Sequence, residues 1–380
     1  MTGPVPILFT IPNFTTAGSG QAMLQIVRRL DRTRFAPSVA VLKRGGHLEQ
    51  EVERLGIPYI ASEFTVDPRP LWSLPVRARR AARAFRAGGF VLWHSFHYLD
   101  DYTEPLVARF AGARAWIYTK KNMSWNHRSW FLRTLLARRV AAQNTDMLRD
   151  FFGGRLLRRR ARLVPRGVDT SRFHPDAPPR LGVRRERGIP QDAFVVGCVA
   201  QLVPVKDHGT LLRAVARVPG AVLLLAGREL DAEYAAGLRR LAAELGVSER
   251  VLFLGEVRDV PALLVELDVF ALSTRRTGEG CPVALLEAMA AGRACVATEI
   301  PGVRDVLANG ETGLSVPAGD SEAFGRALAE LAADPARRAA LGAAARRAVL
   351  ERYSIEREVA AHEALYRELL RVPVEAEAAA

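Results

Sequence analysis

The residues best suited to chemistry are one lysine and two glutamates. Lys206 ends the run Cys198-Val199-Ala200-Gln201-Leu202-Val203-Pro204-Val205-Lys206, just before a helical pattern carrying Leu211, Leu212 and Val215. A lysine on a loop leaving a strand is a point charge that can neutralise a diphosphate. Alone, it reads equally as a solvated surface lysine. Glu279 and Glu287 sit in Glu279-Gly280-Cys281-Pro282-Val283-Ala284-Leu285-Leu286-Glu287. Pro282 fits the first turn of a helix, where its missing N–H costs nothing. That places Glu279 on the preceding loop and Glu287 two turns in. A helix start favours an anion. Two carboxylates beside it suit hydrogen bonds from sugar hydroxyls better than phosphate. As an isolated pair they would be a helix cap and a surface acid.

Other segments carry weaker signals. Thr15-Thr16-Ala17-Gly18-Ser19-Gly20 separates the first apolar run from the first helical pattern, and its glycines let backbone N–H groups approach a phosphate. A flexible turn is the plain alternative. A dinucleotide fingerprint is a third reading, but Met23 stands where a small residue should pack, and Gly18 comes well after Phe9. Lys43 or Arg44 would hold the 2′-phosphate in that case. His94 and His97 follow a strand pattern, so they are candidate polar groups as well as structural ones. Asn122-Met123-Ser124-Trp125-Asn126-His127-Arg128-Ser129-Trp130 is rich in sugar-recognising side chains. Asn122, Trp125 and Trp130 are its acceptor candidates, unless the two tryptophans simply pack beneath a helix.

These residues need a scaffold. Apolar runs at Ile7–Phe9, Val39–Val41, Val91–Trp93, Ala115–Tyr118 and Leu163–Val164 alternate with helical patterns such as Ala22–Leu30 and Val76–Phe85. After His174–Pro179 (HPDAPP) the alternation resumes at Val195–Val199, Val222–Ala226, Val251–Leu254, Val269–Leu272 and Ala294–Thr298. Strands alternating with helices predict parallel sheets covered on both faces. The expectation is α/β: two Rossmann-like doubly wound domains facing across a cleft, with ligands at the carboxyl ends of the strands. The expected boundaries are residues 1–174 and 185–352, a linker at 175–184, a helix at 353–372 packing back toward the first domain, and a frayed tail at 373–380.

The 380 residues are 49% hydrophobic and 25% charged, which excludes disorder, collagen and a small disulfide scaffold. Three cysteines, Cys198, Cys281 and Cys295, have no metal spacing and point to a reducing compartment. No run reaches the ~18 apolar residues of a membrane-crossing helix, and the start lacks a secretory signal. A cytoplasmic protein is expected. The net charge of +13 comes almost wholly from arginine. Arg77, Arg79, Arg80, Arg83 and Arg86 share one helical pattern, and Arg155, Arg158, Arg159, Arg160 and Arg162 form a second cluster. Each is a solvated face or a dock for an anionic membrane. Nucleic acid is not expected, since no reading module accompanies the charge.

Taken together, these motifs resemble a retaining glycosyltransferase of family 4 (glycosyl transferases group 1) with the GT-B fold. The spacing of Glu279 and Glu287 matches the family's glutamate pair. Ala290-Ala291-Gly292-Arg293-Ala294-Cys295-Val296 resembles its A-x-G-x-P-V continuation. Pro165-Arg166-Gly167-Val168-Asp169-Thr170-Ser171-Arg172-Phe173-His174-Pro175 resembles its P-N-G-V-D segment, and Gly310-Glu311-Thr312-Gly313-Leu314-Ser315-Val316 its G-x-T-G-L-x-V segment. The resemblance implies a nucleotide-diphosphate-sugar donor and a glycan, lipid-linked or small-molecule acceptor. It implies transfer with retention by front-face attack, and neither metal nor cofactor. No D-x-D motif occupies a suitable loop.

By that resemblance Glu279 contacts the donor sugar, Glu287 the ribose and Lys206 the diphosphate. The wider donor set is Gly18, Gly20, Gln201, Arg276, Gly280, Cys281, Pro282 and Val283. Two departures matter. Gln201 stands where the family usually has arginine, and Arg275 or Arg276 is the expected compensation. Thr119-Lys120-Lys121-Asn122-Met123 lacks the histidine many relatives place near the reacting sugar, so Lys120, Lys121, His94 or His97 inherits that role. The alternatives are a nucleotide-sugar epimerase or hydrolase on the same scaffold, and a non-catalytic sugar-nucleotide-binding protein. A lipid-linked acceptor implies a peripheral position on the inner face of a membrane.

Overall fold

A computed structural model describes residues 3–14, 17–46, 48–99, 101–124, 128–177, 182–276 and 279–371. Thirteen strands are described: β1 (Val5–Thr10), β2 (Phe35–Val41), β3 (Tyr59–Ala61), β4 (Leu92–Ser95), β5 (Ala115–Lys120), β6 (Arg139–Ala142), β7 (Ala161–Leu163), β8 (Val195–Val199), β9 (Val222–Ala226), β10 (Val251–Gly255), β11 (Val269–Leu272), β12 (Ala294–Thr298) and β13 (Leu314–Val316). They form a seven-stranded sheet, β3-β2-β1-β4-β5-β6-β7, and a six-stranded sheet, β10-β9-β8-β11-β12-β13. Every ladder in both is parallel. Parallel strands covered by helices on both faces must be apolar throughout. Ile7, Leu8 and Phe9 in β1 and Val269, Phe270 and Ala271 in β11 are accordingly fully buried.

Each sheet reverses its strand order once. In the first, β1→β2→β3 runs one way and β4 to β7 the other, so the switch point lies between β1 and β4. In the second, β8→β9→β10 runs one way and β11 to β13 the other, so it lies between β8 and β11. The loops leaving the two central strands diverge there and leave a crevice at the carboxyl edge.

The chain divides into two compact units. Unit 1 runs to Pro165 and resumes at Glu356; unit 2 is Arg166–Ile355. The proline-rich run beginning at His174 is therefore not the boundary. Phe173 and Val183, on either side of it, are buried in the core of unit 2. Val168 bridges Ser354, its N–H donating to the Tyr353 carbonyl at 2.8 Å. A Cβ on Gly167 would lie 2.4 Å from the Ser354 carbonyl oxygen, so no larger residue allows this approach.

The last helix, Ile355–Arg371, packs in unit 1 from Glu356 onward. Tyr366 is fully buried against Phe35 (5.7 Å between ring centroids) and Phe9 (6.4 Å). Glu368 accepts hydrogen bonds from Arg139 and Arg162, both at 2.9 Å. Glu363 accepts from the Asp31 N–H.

Candidate functional site

In unit 2 the topology brings the principal candidates together. Gly227, just past β9, fixes the loop after β8: a Cβ there would lie 1.8 Å from the Ala200 carbonyl oxygen. Ala200 N–H donates to the Ala226 carbonyl and Leu202 N–H to the Arg228 carbonyl. A 3₁₀ turn, Pro204–Lys206, then ends in Asp207, whose left-handed backbone (φ +50°) turns the chain into helix His208–Ala216. The Ser273 hydroxyl donates to the Lys206 carbonyl at 2.8 Å, and Arg275 N–H to the Val205 carbonyl at 2.9 Å. The loops after β8 and β11 are thereby tied at the switch point. Thr298 anchors the second of them by donating to the Thr274 carbonyl.

Lys206 and Glu279 form an ion pair across this point, 73 residues apart in sequence, with both side chains partly exposed. Thr274 also donates to Glu279, at 3.3 Å. Gln201, Arg275 and Arg276 are exposed on the same two loops. Arg275 reaches Asp207 at 3.5 Å. Thr277 and Gly278 lie outside the described residues.

Helix Val283–Ala290 follows, with Pro282 as its cap residue rather than in its first turn. Leu285 and Leu286 N–H groups take the Pro282 carbonyl. Helix starts leave further N–H groups without helical partners, as an anion requires. Gly280 is buried, while Cys281 and Val283 are half-buried. Glu287 keeps some exposure but is ringed by protein, which pushes its carboxyl up to about 7 against the opposing pull of Arg172 and Arg166. Neither arginine was singled out from the sequence for this site, because no spacing rule links them to a helix more than a hundred residues on.

Unit 1 is arranged differently. Glu104, fully buried, sits beneath its switch point. It accepts from Thr10 at the end of β1, from Trp93 Nε1 (3.0 Å), from His97 Nε2 (2.8 Å) and from Arg133 Nη2 (3.2 Å). Burial would raise its pKa, but His97, Arg133 and Thr10 hold it at about 2. Arg133 also donates to Ser95 Oγ at 2.6 Å and the Asp101 carbonyl at 2.5 Å. Nothing in the spacing of Glu104 and Arg133 announces this pair.

The histidine candidates are corrected by this geometry. His97 is buried, and burial lowers its pKa against the opposing pull of Glu104. Its Nε2–H donates to Glu104 and its Nδ1 accepts the Leu99 N–H. His94 is fully buried, its Nδ1 on Tyr366 OH (2.8 Å) and its Nε2 on Thr119 (2.9 Å). Burial and the nearby His362 and Lys121 push its pKa well down. With both nitrogens occupied on each ring, neither histidine is free to take a substrate proton.

Lys120 ends β5 and is also buried. Desolvation brings its pKa down to about 7. It donates to Asn122 Oδ1 (2.6 Å) and the Ser124 carbonyl (2.5 Å), and its ammonium lies over the Trp130 and Phe151 rings. Lys121 donates to the Phe96 carbonyl. Trp130 is buried and packs on Tyr118, so it is core rather than a sugar-stacking surface. Asn122 is half-buried. Trp125 lies outside the described residues.

The glycine loop divides likewise. Gly18 is exposed in helix Ala17–Val27, with open space where a side chain would be. Gly20 is buried and its Cβ would meet Leu48 at 2.7 Å and Phe14 at 3.1 Å, so its smallness serves packing. Arg44, the 2′-phosphate candidate, pairs with Glu49 at 3.4 Å. Among the described residues no group of three or more metal-ligating side chains occurs, and no helix is long and apolar enough to cross a membrane.

Two doubly wound parallel sheets of this order define a two-domain Rossmann-like architecture. Solved structures share it. A glycosyltransferase from Rickettsia africae superposes with a TM-score of 0.86 at 16% identity, covering 97% of this chain and 99% of its own. Anabaena HepE, solved with UDP and glucose, gives 0.80 at 20% identity, covering 97% and 100%. Residues 182–348 match the family model described as Glycosyl transferases group 1.

Among curated relatives, a GDP-mannose-dependent alpha-(1-6)-phosphatidylinositol monomannoside mannosyltransferase from Mycolicibacterium smegmatis is 37% identical over 201 residues, 50% of this chain and 52% of its own. The lipopolysaccharide core biosynthesis mannosyltransferase LpcC from Rhizobium leguminosarum is 34% identical over 215 residues, 55% of this chain and 60% of its own. The chain thus spans about half the length of the curated relatives it matches.

Proposed function

We propose that the protein is a retaining glycosyltransferase that moves a sugar from a nucleotide-diphosphate donor to a glycan, lipid-linked or small-molecule acceptor. The observation that carries this reading is the Lys206–Glu279 pair astride the switch point of unit 2. A partly exposed cation and carboxylate there can exchange each other for a ligand. Lys206 would take the diphosphate and Glu279 the hydroxyls of the transferred sugar. Glu287 would accept from the ribose, held toward its ionised form by Arg172 and Arg166. Arg276, exposed beside Glu279, would supply the charge absent at Gln201. GDP-mannose is the first donor to test, because one of the two mannosyltransferase relatives is named for its dependence on it.

In the proposed reaction the acceptor oxygen forms a bond to the anomeric carbon on the face from which the diphosphate departs. The bond from that carbon to the leaving oxygen breaks, and a leaving phosphate oxygen takes the acceptor proton. Lys206, Arg276 and the first N–H groups of helix Val283–Ala290 would stabilise the charge that develops on the diphosphate, a service that in other enzymes a metal performs. The test is thermal unfolding with GDP-mannose, UDP-glucose, GDP and UDP, with nucleoside-diphosphate release followed in parallel. At least one of these should raise the melting temperature, since a ligand bound only to the folded state stabilises it. Lys206→Ala should abolish that shift. No shift from any of the four would overturn the reading. Release of nucleoside diphosphate at an unchanged rate whether or not an acceptor is supplied would favour the hydrolase alternative.

A further inference from the structure

Unit 1 carries an amphipathic face whose features the proposed reaction does not use. Helix Leu74–Arg86 buries Leu74, Ala78, Ala82 and Phe85 against its sheet. The 3₁₀ turn before it, Leu71–Ser73, exposes Leu71 at 65% and Trp72 at 84%, and Val76 on the helix is 65% exposed. The other described tryptophans, Trp93, Trp116 and Trp130, are all buried. A tryptophan this exposed beside two exposed aliphatic residues is an apolar patch that water disfavours.

The cationic side of the same face is just as distinctive. None of Arg77, Arg79, Arg80, Arg83 and Arg86 forms an ion pair among the described residues. Arg77 instead donates to the Asp67 and Pro70 carbonyls, Arg79 lies over the Phe110 ring, and Arg86 donates to the Phe110 carbonyl. Arg80 and Arg83 point their charge at solvent without a partner among the described residues. An open groove of about 820 Å³ runs beside Arg77 and Arg80, with Glu63 and Asp67 as its two carboxylates. The second arginine cluster differs: Arg162 is held by Glu368 and Arg160 by the Ala137 carbonyl.

We propose that the face from Leu71 to Arg86 docks on an anionic lipid bilayer. Leu71, Trp72 and Val76 enter the headgroup zone, where an amphipathic indole is most at home. Arg80 and Arg83, with Arg79 beside them, engage lipid phosphates. Charge complementarity selects this occupant, because the face offers guanidinium groups without carboxylate partners on a chain of net charge +13. The Leu71–Ser73 turn lies beyond the carboxyl end of β3, so docking brings the bilayer to the carboxyl edge of this sheet. The inference goes beyond the proposed reaction and does not require it.

The test is sedimentation of the full chain with vesicles of phosphatidylcholine alone or mixed equally with phosphatidylglycerol, across a salt series. Binding should require phosphatidylglycerol and fall with salt. Arg80→Ala with Arg83→Ala should weaken the partition coefficient roughly thirtyfold, and Trp72→Ala about tenfold. These positions are exposed, so melting temperatures should stay near wild type. Bromine-labelled lipid should quench tryptophan fluorescence, and Trp72→Phe should remove most of that quenching. Equal binding to neutral vesicles, no binding at all, or variants that bind like wild type would overturn the proposal. So would self-association, without vesicles, that Trp72→Ala abolishes.

Discussion

The two switch points of this molecule have the same topology and opposite electrostatic designs. In unit 1 the ends of β1 and β4 converge on Glu104, whose charge is matched by Arg133 and whose oxygens are filled by Thr10, Trp93 and His97. All of these groups are buried. In unit 2 the loops after β8 and β11 converge on Lys206 and Glu279, which retain exposure. A polar network whose members satisfy one another in low dielectric is rigid and hard to recruit. A partly solvated pair keeps the freedom to change partners. The same strand order therefore supplies a fixed floor in one unit and a partly solvated ion pair in the other.

The largest effect should come from breaking the fixed floor. Glu104→Gln leaves Arg133 buried without its counter-charge, so chemical unfolding should reveal a loss of about 3–5 kcal/mol. A loss below about 1 kcal/mol would mean that Arg133 finds solvent, and the contrast between the units would fail. Next in size, Lys206→Ala or Glu279→Ala should reduce turnover about 10²-fold or more, with unfolding curves close to wild type. If these substitutions cost stability instead, the unit 2 pair is structural as well.

The third prediction uses Glu287. Its carboxyl is protonated below about pH 7 and ionised above it. Nucleoside-diphosphate affinity should therefore strengthen about tenfold as pH rises through 7, the worth of one hydrogen bond to a charged acceptor. Calorimetric titration of Glu287→Gln should show this rise removed. The smallest effect is expected at the rim. Arg276→Ala should weaken donor binding only severalfold, and Arg275→Ala less, because Arg275 is partly committed to Asp207. Unchanged affinity in both would leave Gln201 uncompensated.

Much of the scaffold was legible in the sequence, because strands buried on both faces must be apolar runs. β8 (VVGCV), β9 (VLLLA) and β12 (ACVAT) could hardly be read otherwise. β3 and β13 span three residues each, and β6 is the alanine-rich RVAA. Such short strands are defined by their neighbours rather than by their own composition. The pairing of Lys206 with Glu279 was legible only through motifs, since sheet order rather than spacing unites them. His94, His97 and Trp130 misled for a related reason: position at a strand end is visible in sequence, but burial is decided by helices that arrive later. Tyr366, which occupies His94, lies 272 residues downstream.

That late arrival has a consequence for synthesis and for engineering. Unit 2 is inserted within unit 1, whose closing helix is translated after it. A nascent chain paused anywhere in Arg166–Ile355 leaves Phe9, Phe35 and His94 without Tyr366 and presents a sticky aromatic seam. The inserted unit, by contrast, is one uninterrupted stretch. It can be exchanged between relatives as a cassette cut at 165/166 and 355/356, whereas its host must be assembled from two pieces.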